Sequence, residues 1–385
     1  MKGHLRERSP GHWAIVIDEP SESGKRSQRW HSFKGTKREA QAKLHELIAS
    51  ISKGDYVEPS KLTVAEYVRS RIAQWAAAGE ISPKTTERYT ELLDNQIAPH
   101  LGVKPIQKLK PVDVERWHTS LKTGGRKDGK GGVSNRTIGH AHRVLSKALR
   151  DAVRHNVAVK NVAAEEGAPA VDGDEMIILT PEQVRDLPAK LKGQRMYARA
   201  IIALHTGVRP QELVALRWSA VDLDAKPSPT ITIAEALEST KQHGLRFKGP
   251  KTRSGRRQVT LPDIVVDALR EHRRQQLEQR LVLGLGKLPD DALVFPALNG
   301  GPQSPDAFSA EWRDAADKIG LVGIPLYSLR HTHASLLIDK GVDVVTISKR
   351  LGHASPAITL KVYAHLFRKD DGKAAEAINR ALLDR

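Results

Sequence analysis

The chain has 385 residues and a formal net charge of +17, from 62 lysines and arginines against 45 aspartates and glutamates. It has no cysteine, which excludes disulfide bonds and cysteine-ligated metal sites, and no apolar run near the roughly 20 residues of a membrane span. Basic residues occur throughout the chain, as is typical of a protein that surrounds a polyanion. The composition therefore favours a nucleic-acid partner over a merely basic soluble protein.

The amino-terminal residues 1–55 predict a small domain of one sheet and one helix. Residues 12–17 and 28–33 are strand candidates, separated by a loop rich in Ser, Glu and Gly. Thr36 then has the position of an N-cap for a helix that continues to Ile48. Such a module could bind DNA or could serve as an accessory or dimerisation unit, and the residue pattern leaves both open.

After a linker at 54–61, residues 62–160 predict a domain of four helices. Their starts are marked by Thr63, Ser82, Pro111 and Ser134. The last helix has a basic face, although a charged helix face is more often only solvated. Its candidates for phosphate contacts are Arg136, Arg143, Lys147 and Arg150.

A loop at 162–174 leads to a third predicted domain, residues 175–385. Thr180 begins a helix, residues 230–233 and 257–261 are strand candidates, and further helices are expected at 262–283 and 304–319. The whole chain thus predicts a multidomain, mainly α fold with small β elements (α+β). The first residues, MKGHLRERSPGHW, lack the apolar segment of a secretory signal, so we expect a cytoplasmic protein.

A basic segment at 246–257 is expected to lie against DNA, with Ser254-Gly255 as a hairpin turn. From the residues alone, its basic side chains are nearly interchangeable as phosphate contacts. They include Lys248, Lys251, Arg253 and Arg256.

The last fifth of the chain combines residue types that suit phosphodiester chemistry. Arg330 precedes His353 and Tyr363, and Arg209 lies far upstream. Arginine presents a planar fork of donors to phosphate oxygens, histidine adds a donor, and tyrosine offers an oxygen nucleophile. Together with a lysine such as Lys251, this set can cut a phosphodiester without a metal, because cationic groups balance the charge on phosphorus and an acid protonates the departing oxygen.

Four stretches together resemble the tyrosine recombinases of the phage-integrase type: TGVRPQELVALRW, KGPKTRSGRRQVTLP, YSLRHTHASLLIDKG and RLGHASPAITLKVYAHL. The resemblance implies that Arg209 and Arg330 clamp the phosphate and that Lys251 protonates the leaving 5′ oxygen. It also implies that His353 is the second histidine of the site. Tyr363 would be the nucleophile that forms a 3′-phosphotyrosine.

Tyr327 departs from that family's pattern, which most often has histidine three residues before the second arginine. A phenol can still donate a hydrogen bond to a phosphate oxygen. With an unperturbed pKa of about 10, a phenol does not exchange protons near neutral pH as imidazole does. His331 is a neighbour rather than a substitute, because one helical step turns the side chain by about 100°.

The histidines raise the possibility of a zinc site. His331 and His333 are two residues apart and do not share a helical face, and no carboxylate cluster accompanies them or His353. We therefore predict no metal and no cofactor, and we expect both histidines to pack or hydrogen-bond within the helix of Arg330.

The resemblance also implies an organisation and a set of partners. Residues 1–55 would bind arm-type DNA sites, residues 62–160 would bind the core site, and residues 175–385 would be catalytic. The partners would be double-stranded DNA attachment sites, a homotetramer on DNA, a host DNA-bending protein and a directionality factor. The protein would act at the bacterial nucleoid. The helix at 374–383 would pack on a neighbouring protomer or on its own domain.

The most concrete function that follows is that of a phage or mobile-element integrase. The alternatives are a Xer-like resolvase, a type IB topoisomerase and a DNA-binding regulator without catalysis. A resolvase would usually lack residues 1–55, a topoisomerase would relax supercoiled DNA without site preference, and a regulator would form no covalent adduct.

Overall fold

The computed structural model describes residues 3–19, 27–52, 56–171, 173, 176–250, 253–367 and 372–383. The chain divides into two compact units, Met1–Gly173 and Asp174–Arg385. Among the described residues, no helix is both long enough and apolar enough to cross a membrane.

The first unit begins with an antiparallel sheet in the order β1-β2-β3, followed by a helix. The predicted strands and helix are confirmed, and a further strand, β1, precedes them. The sequence did not predict β1 because its residues, GHLRERS, are mostly polar and lack the β-branched types that mark a strand. Leu44 of the helix packs on Ile15 and Ile17 of the sheet. The elements are β1 (Gly3–Ser9), β2 (His12–Glu19), β3 (Ser27–Lys34) and α1 (Lys37–Ser52).

The rest of this unit is helical and has its own hydrophobic core. Thr63, Ser82 and Ser134 each accept a hydrogen bond from a backbone N–H of the helix that follows, which confirms the predicted starts. The elements are α2 (Val64–Ala77), α3 (Pro83–Leu92), a π-helical turn (Leu93–Ile97), α4 (Ala98–Leu101), α5 (Pro111–Gly124), α6 (Asn135–Arg154) and α7 (Val162–Glu166).

Helix α7 contradicts the prediction of a loop at 162–174. The side chain of Asn161 accepts a hydrogen bond from the Ala164 N–H, and Val162 and Ala163 are buried in the helical core. The cap and this burial stabilise a short helix in a segment for which the content of Ala, Glu and Gly predicts a loop.

The second unit is mostly helical around small sheets. Its first helices are α8 (Pro181–Leu191), α9 (Tyr197–Thr206) and α10 (Pro210–Leu213). Its strands are β4 (Val221–Asp222), β5 (Thr230–Ile233), β6 (Ala236–Thr240), β7 (Gly244–Lys248) and β8 (Arg257–Thr260). The remaining helices are α11 (Asp263–Val282), α12 (Pro305–Lys318), α13 (Tyr327–Asp339), α14 (Val344–Leu351), α15 (Pro356–Tyr363) and α16 (Gly372–Leu383).

The strands form one antiparallel sheet in the order β4-β5-β8 and a separate β6-β7 hairpin. The prediction of a hairpin turn at Ser254-Gly255 is therefore wrong. These residues belong to a 3₁₀ turn, Arg253–Gly255, and the strands on either side of them, β7 and β8, pair with different partners. A Ser-Gly pair allows a tight turn but does not determine which strands the turn connects.

Helix α9 is mostly apolar and packs on both α11 and α13. It ends at Gly207, whose left-handed φ of 67° and tight surroundings both require glycine. A Cβ at this position would lie 2.6 Å from Cδ2 of the His333 ring. The turn at Gly207 thus brings the residues that follow it, including Arg209, close to α13.

Candidate active site

The C-terminal end of α14 is bound by three arginines from different parts of the chain. A helix C-terminus leaves its last carbonyl groups without partners inside the helix and has a partial negative charge. The carbonyl oxygen of Arg350 accepts a hydrogen bond from Arg257 Nε at 2.8 Å. The next carbonyl oxygen, of Leu351, accepts from Arg330 Nη2 at 2.7 Å, and that of Gly352 accepts from Arg209 Nη2 at 3.0 Å. These carbonyls gather three positive charges in one place.

Glu212 balances part of that charge. Its carboxylate accepts from Arg209 Nη1 at 2.7 Å and from Arg257 at 3.1 and 2.8 Å, and it also accepts from the Arg209 backbone N–H at 2.9 Å. Burial opposes ionisation of this carboxyl group, but its hydrogen bonds to Arg257 and the charges of both arginines outweigh that and lower its pKa. Glu212 therefore remains ionised and fixes both guanidinium groups.

Arg330 is 1% exposed. It donates to the Gly207 carbonyl oxygen and, through Nη2, to Nε2 of His353 at 3.1 Å. Burial lowers the pKa of Arg330 to about 10, so the guanidinium stays charged at neutral pH. Its Nε–H is buried and has no hydrogen-bond partner among the described residues, which leaves one donor for an incoming acceptor.

His353 follows Gly352, which ends α14 with a left-handed φ of 67°. Because arginine only donates, the Nε2 atom of His353 that meets Arg330 is an acceptor, and the ring proton lies on Nδ1. Nδ1 accordingly donates to Thr359 Oγ1 at 2.8 Å. Burial and the nearby arginines lower the pKa of His353 to about 4, so the imidazole is neutral.

Tyr363 ends α15 and is 1% exposed. Its hydroxyl oxygen lies 2.8 Å from Nδ1 of His331, and burial raises its pKa to about 12. Tyr327, at the start of α13, is 40% exposed and meets the His331 ring edge to face at 5.0 Å. His331 thus packs within its own helix, as predicted, but its hydrogen-bond partner belongs to α15.

His333 also bonds outside its helix. It donates from Nδ1 to the Leu204 carbonyl oxygen at 2.9 Å and accepts from Arg350 Nε at 3.0 Å. Burial, followed by the charge of Arg350, lowers its pKa to about 3, so the ring is neutral and links α9, α13 and α14. Among the described residues, no three histidine, aspartate or glutamate side chains converge as metal ligands would.

The predicted basic segment is only partly described. Lys251 and the side chain of Arg253 lie outside the described residues. Lys248 binds Glu238 at 2.6 Å, so its charge is already balanced within the β6-β7 hairpin. Arg256 is exposed.

In the first unit, the predicted basic face of α6 is present. Arg136, Arg143 and Arg150 are exposed on it. Lys147 differs, because its ammonium lies 3.8 Å from the centroid of the Trp75 ring and 3.6 Å from a carboxylate oxygen of Glu80.

Sequence reasoning missed Arg257 and the contact between His331 and Tyr363. A signal for Arg257 was available, because strand alternation puts it on the same face of β8 as the buried Val259. A signal for His331 was its spacing from Tyr327. Residues four apart on a helix share a face, so this spacing, rather than the single step from Arg330, predicts contact between the two rings.

The described site lies inside a segment, residues 178–370, that matches the phage integrase family. Residues 72–122 match the phage integrase N-terminal SAM-like domain. An integrase from Streptomyces ambofaciens is 31% identical over 355 residues, which cover 90% of this chain and 87% of that protein. A tyrosine recombinase XerC-like protein from Caldanaerobacter subterraneus subsp. tengcongensis is 26% identical, covering 89% of this chain and 90% of that protein.

Two solved structures resemble the fold. One is the Tn1549 transposon integrase in complex with a circular intermediate DNA, with a TM-score of 0.67 and 21% identity, covering 83% of this chain and 99% of that chain. The other is a lambda integrase tetramer bound to a Holliday junction, with a TM-score of 0.52 and 17% identity, covering 91% of this chain and 96% of that chain.

Proposed function

The chain belongs to the phage integrase family of tyrosine recombinases, which cleave and rejoin DNA, and we propose that Tyr363 is its nucleophile in joining two attachment sites of a phage or another mobile element. The observation that supports this most directly is the convergence of Arg209, Arg330, His353 and Tyr363. They come from four separate parts of the chain and meet around the end of α14 and the buried phenol of α15.

The arginines suit a phosphate that gains charge as it is attacked. Arg209 is partly exposed and Arg330 is buried, and Glu212 holds the first while backbone carbonyls hold the second. Donors fixed before the substrate arrives need no reorganisation during the reaction, which is how preorganised electrostatics lower a barrier. The unpartnered Nε–H of Arg330 is a donor that a phosphate oxygen would satisfy.

The reaction then proceeds in two transfers. The Tyr363 oxygen attacks phosphorus, the bond to the 5′ oxygen breaks, and a 3′-phosphotyrosine forms. Lys251, by resemblance, supplies the proton to the leaving 5′ oxygen. A 5′ hydroxyl from the partner duplex later attacks the phosphotyrosine and releases Tyr363. His353, neutral and bound to both Arg330 and Thr359, positions that guanidinium.

The remaining parts of the chain are proposed to hold the DNA. The sheet of residues 1–55 would bind arm-type sites, and Arg6, Arg8 and Trp30 lie on the strands of that sheet, with Arg8 near the Trp30 ring. Residues 62–160 would bind the core site through Arg136, Arg143 and Lys147. Lys248, Arg253 and Arg256 would contact phosphates near the catalytic residues of the domain at 175–385.

The working assembly is proposed to be a tetramer on two DNA sites, since four strands are cut in one exchange and each subunit has one Tyr363. The lambda integrase tetramer on a Holliday junction has the same fold and supports this proposal. A host DNA-bending protein and a directionality factor would assist, and the protein would act at the nucleoid in the cytoplasm.

Trapping the covalent adduct tests the function. A nicked suicide duplex with the attachment site loses the short strand after cleavage, so the covalent product accumulates. Peptide mapping is expected to find DNA on Tyr363, and Tyr363→Phe is expected to bind the site without forming an adduct. An adduct on another residue, or site binding with no adduct in the unaltered protein, would contradict the proposal.

A further inference from the structure

The hydroxyl group of Tyr363 has a hydrogen-bond partner on α13. His331 Nδ1 lies 2.8 Å from the phenolic oxygen, and the two rings meet edge to face with centroids 5.7 Å apart. Because Tyr363 is 1% exposed, bulk water does not reach its hydroxyl in this arrangement. An acceptor for the phenolic proton is therefore required from the protein, and the imidazole of His331 is in contact with it.

We propose that His331 is a further catalytic residue, which orients the Tyr363 hydroxyl for attack and accepts its proton. The inference rests on the proposed function, in which Tyr363 is the nucleophile. As the phenolic oxygen bonds to phosphorus, its O–H bond breaks and the proton moves to Nδ1 of His331, while the bond to the 5′ oxygen breaks and that oxygen is protonated by Lys251. In ligation, the 5′ hydroxyl attacks phosphorus and gives its proton to Lys251, while the bond from phosphorus to the phenolic oxygen breaks and the imidazolium returns its proton to that oxygen.

Helical geometry explains how His331 can take this task. Tyr327 and His331 are four residues apart and share one face of α13, where their rings are in contact. Tyr327 lies at the exposed start of that face, and His331 lies one turn deeper, against α15. Position 327 has a phenol in place of an imidazole. His331 thus supplies the proton acceptor, one turn later on the same helix face.

The charges around His331 are consistent with an acceptor. Its own helix contributes Tyr327 and Arg330, α15 contributes Tyr363, and the turn after α14 contributes His353. Burial and Arg330 lower the pKa of His331, so the ring is neutral at pH 7 and one nitrogen can accept. The phenol keeps its proton until a phosphate arrives, so the proton transfer accompanies the attack on phosphorus.

Single-turnover cleavage of the suicide duplex tests the proposal in the full-length protein. His331→Asn and His331→Gln keep a polar side chain but remove the titratable ring. We expect cleavage at pH 7 to slow by on the order of 100-fold, with site affinity unchanged and any residual adduct still on Tyr363. His45→Asn, the same exchange at an exposed position of α1, is the matched control and should cleave normally.

The pH profile distinguishes proton transfer from simple packing. In the unaltered protein, the rate should level off above the pKa of His331, whereas in the variants it should keep rising to about pH 9 as hydroxide replaces the imidazole. An equal loss at every pH, or cleavage within about threefold of the unaltered protein, would overturn the proposal. Thermal unfolding of each variant checks its fold, and the glutamine variant decides the question if the asparagine variant does not fold.

A substrate with sulfur in place of the bridging 5′ oxygen gives a second test. A thiolate leaves without being protonated, so this substrate should restore cleavage by Lys251→Ala and should not restore it in His331→Asn. Rescue of His331→Asn would mean that His331 serves the leaving group, which contradicts the proposal. Failure of the unaltered protein to form an adduct on Tyr363 would instead refute the proposed function itself.

Discussion

Arg257 and Glu212 form a bidentate ion pair, with nitrogen-to-oxygen distances of 3.1 and 2.8 Å. The two side chains are 6% and 7% exposed. The same carboxylate holds Arg209, and Arg257 also binds the carbonyl oxygen of Arg350. One buried negative charge thus allows several arginines to stand close together, which their mutual repulsion would otherwise oppose.

We expect Glu212→Gln to destabilise the protein by about 3–5 kcal/mol, because it leaves the buried charge of Arg257 uncompensated. Cleavage should also fall, since Arg209 loses the group that fixes it. Urea denaturation measures the first effect and the suicide duplex measures the second. Glu271→Gln, which removes an exposed carboxylate paired with Arg274 on α11, should change neither. Unchanged stability of Glu212→Gln would refute the structural role.

Cleavage is expected to continue in EDTA. The guanidinium groups of Arg209 and Arg330 provide the positive charge that many phosphoryl-transfer enzymes obtain from Mg²⁺. The measurement is adduct formation with and without chelator, followed by added Mg²⁺. Loss of activity on chelation, restored by the metal, would falsify the metal-free mechanism.

Binding of DNA should weaken steeply with salt, because each lysine or arginine that meets a phosphate displaces condensed counterions. Arg143→Ala, at an exposed position of α6, should reduce the slope of log affinity against log salt by about one. Lys147→Ala should reduce it less, because this ammonium is already bound to Trp75 and Glu80. Equal slopes for all three proteins would argue against α6 as a DNA-contacting helix.

Tyr327→Phe should reduce transition-state stabilisation by about 1.5–3 kcal/mol, the range for a lost hydrogen bond to a charged group. The phenyl ring keeps the edge-to-face contact with His331, so the proton acceptor stays in place. Tyr327→His should be tolerated, because imidazole also donates a hydrogen bond. Single-turnover rates provide the measurement. Abolished cleavage by both variants, with binding intact, would reveal a role for Tyr327 beyond donation.

The stability of the catalytic unit should fall in mild acid because of His333. Its pKa is about 3 in the folded protein and about 6.5 in an unfolded chain. As the pH falls below 6.5, the unfolded state binds the proton first, so the stabilisation is complete above pH 6.5 and is lost as the pH approaches 3. Between pH 7.5 and 5 this residue should account for about 2 kcal/mol. Urea unfolding of His333→Gln should show a weaker pH dependence, and an equal dependence would refute this assignment.

Truncation after Lys373 should impair recombination more than DNA binding by the monomer. Helix α16 exposes Ile378 and Leu382, 61% and 70% accessible, so its apolar side chains are available to a second protomer. Recombination between two sites and gel-shift binding of one site are the two measurements. Recombination at the full rate after truncation would mean that α16 is not needed for assembly.

Several features followed from the amino-acid sequence alone. Helix starts at Thr63, Ser82, Ser134 and Thr180 were predicted, because a cap bonds to a backbone N–H within the next turn. Strand β5 was predicted to its ends from its alternating residues. The order of the four motifs also identified the family, because residue types and spacings are properties of the chain itself.

Only the tertiary structure decided which distant groups meet. The contacts of Arg257 with Glu212 and of His331 with Tyr363 span 45 and 32 positions. Strand β7 pairs with β6 and not with β8, and local strand propensity does not determine which of these two partners it takes. Such contacts depend on how whole helices and strands pack, and the burial that lowers the pKa of His331 exists only after packing. The sequence therefore determined which chemical groups are available, and the packed fold determined which of them share a proton or a charge.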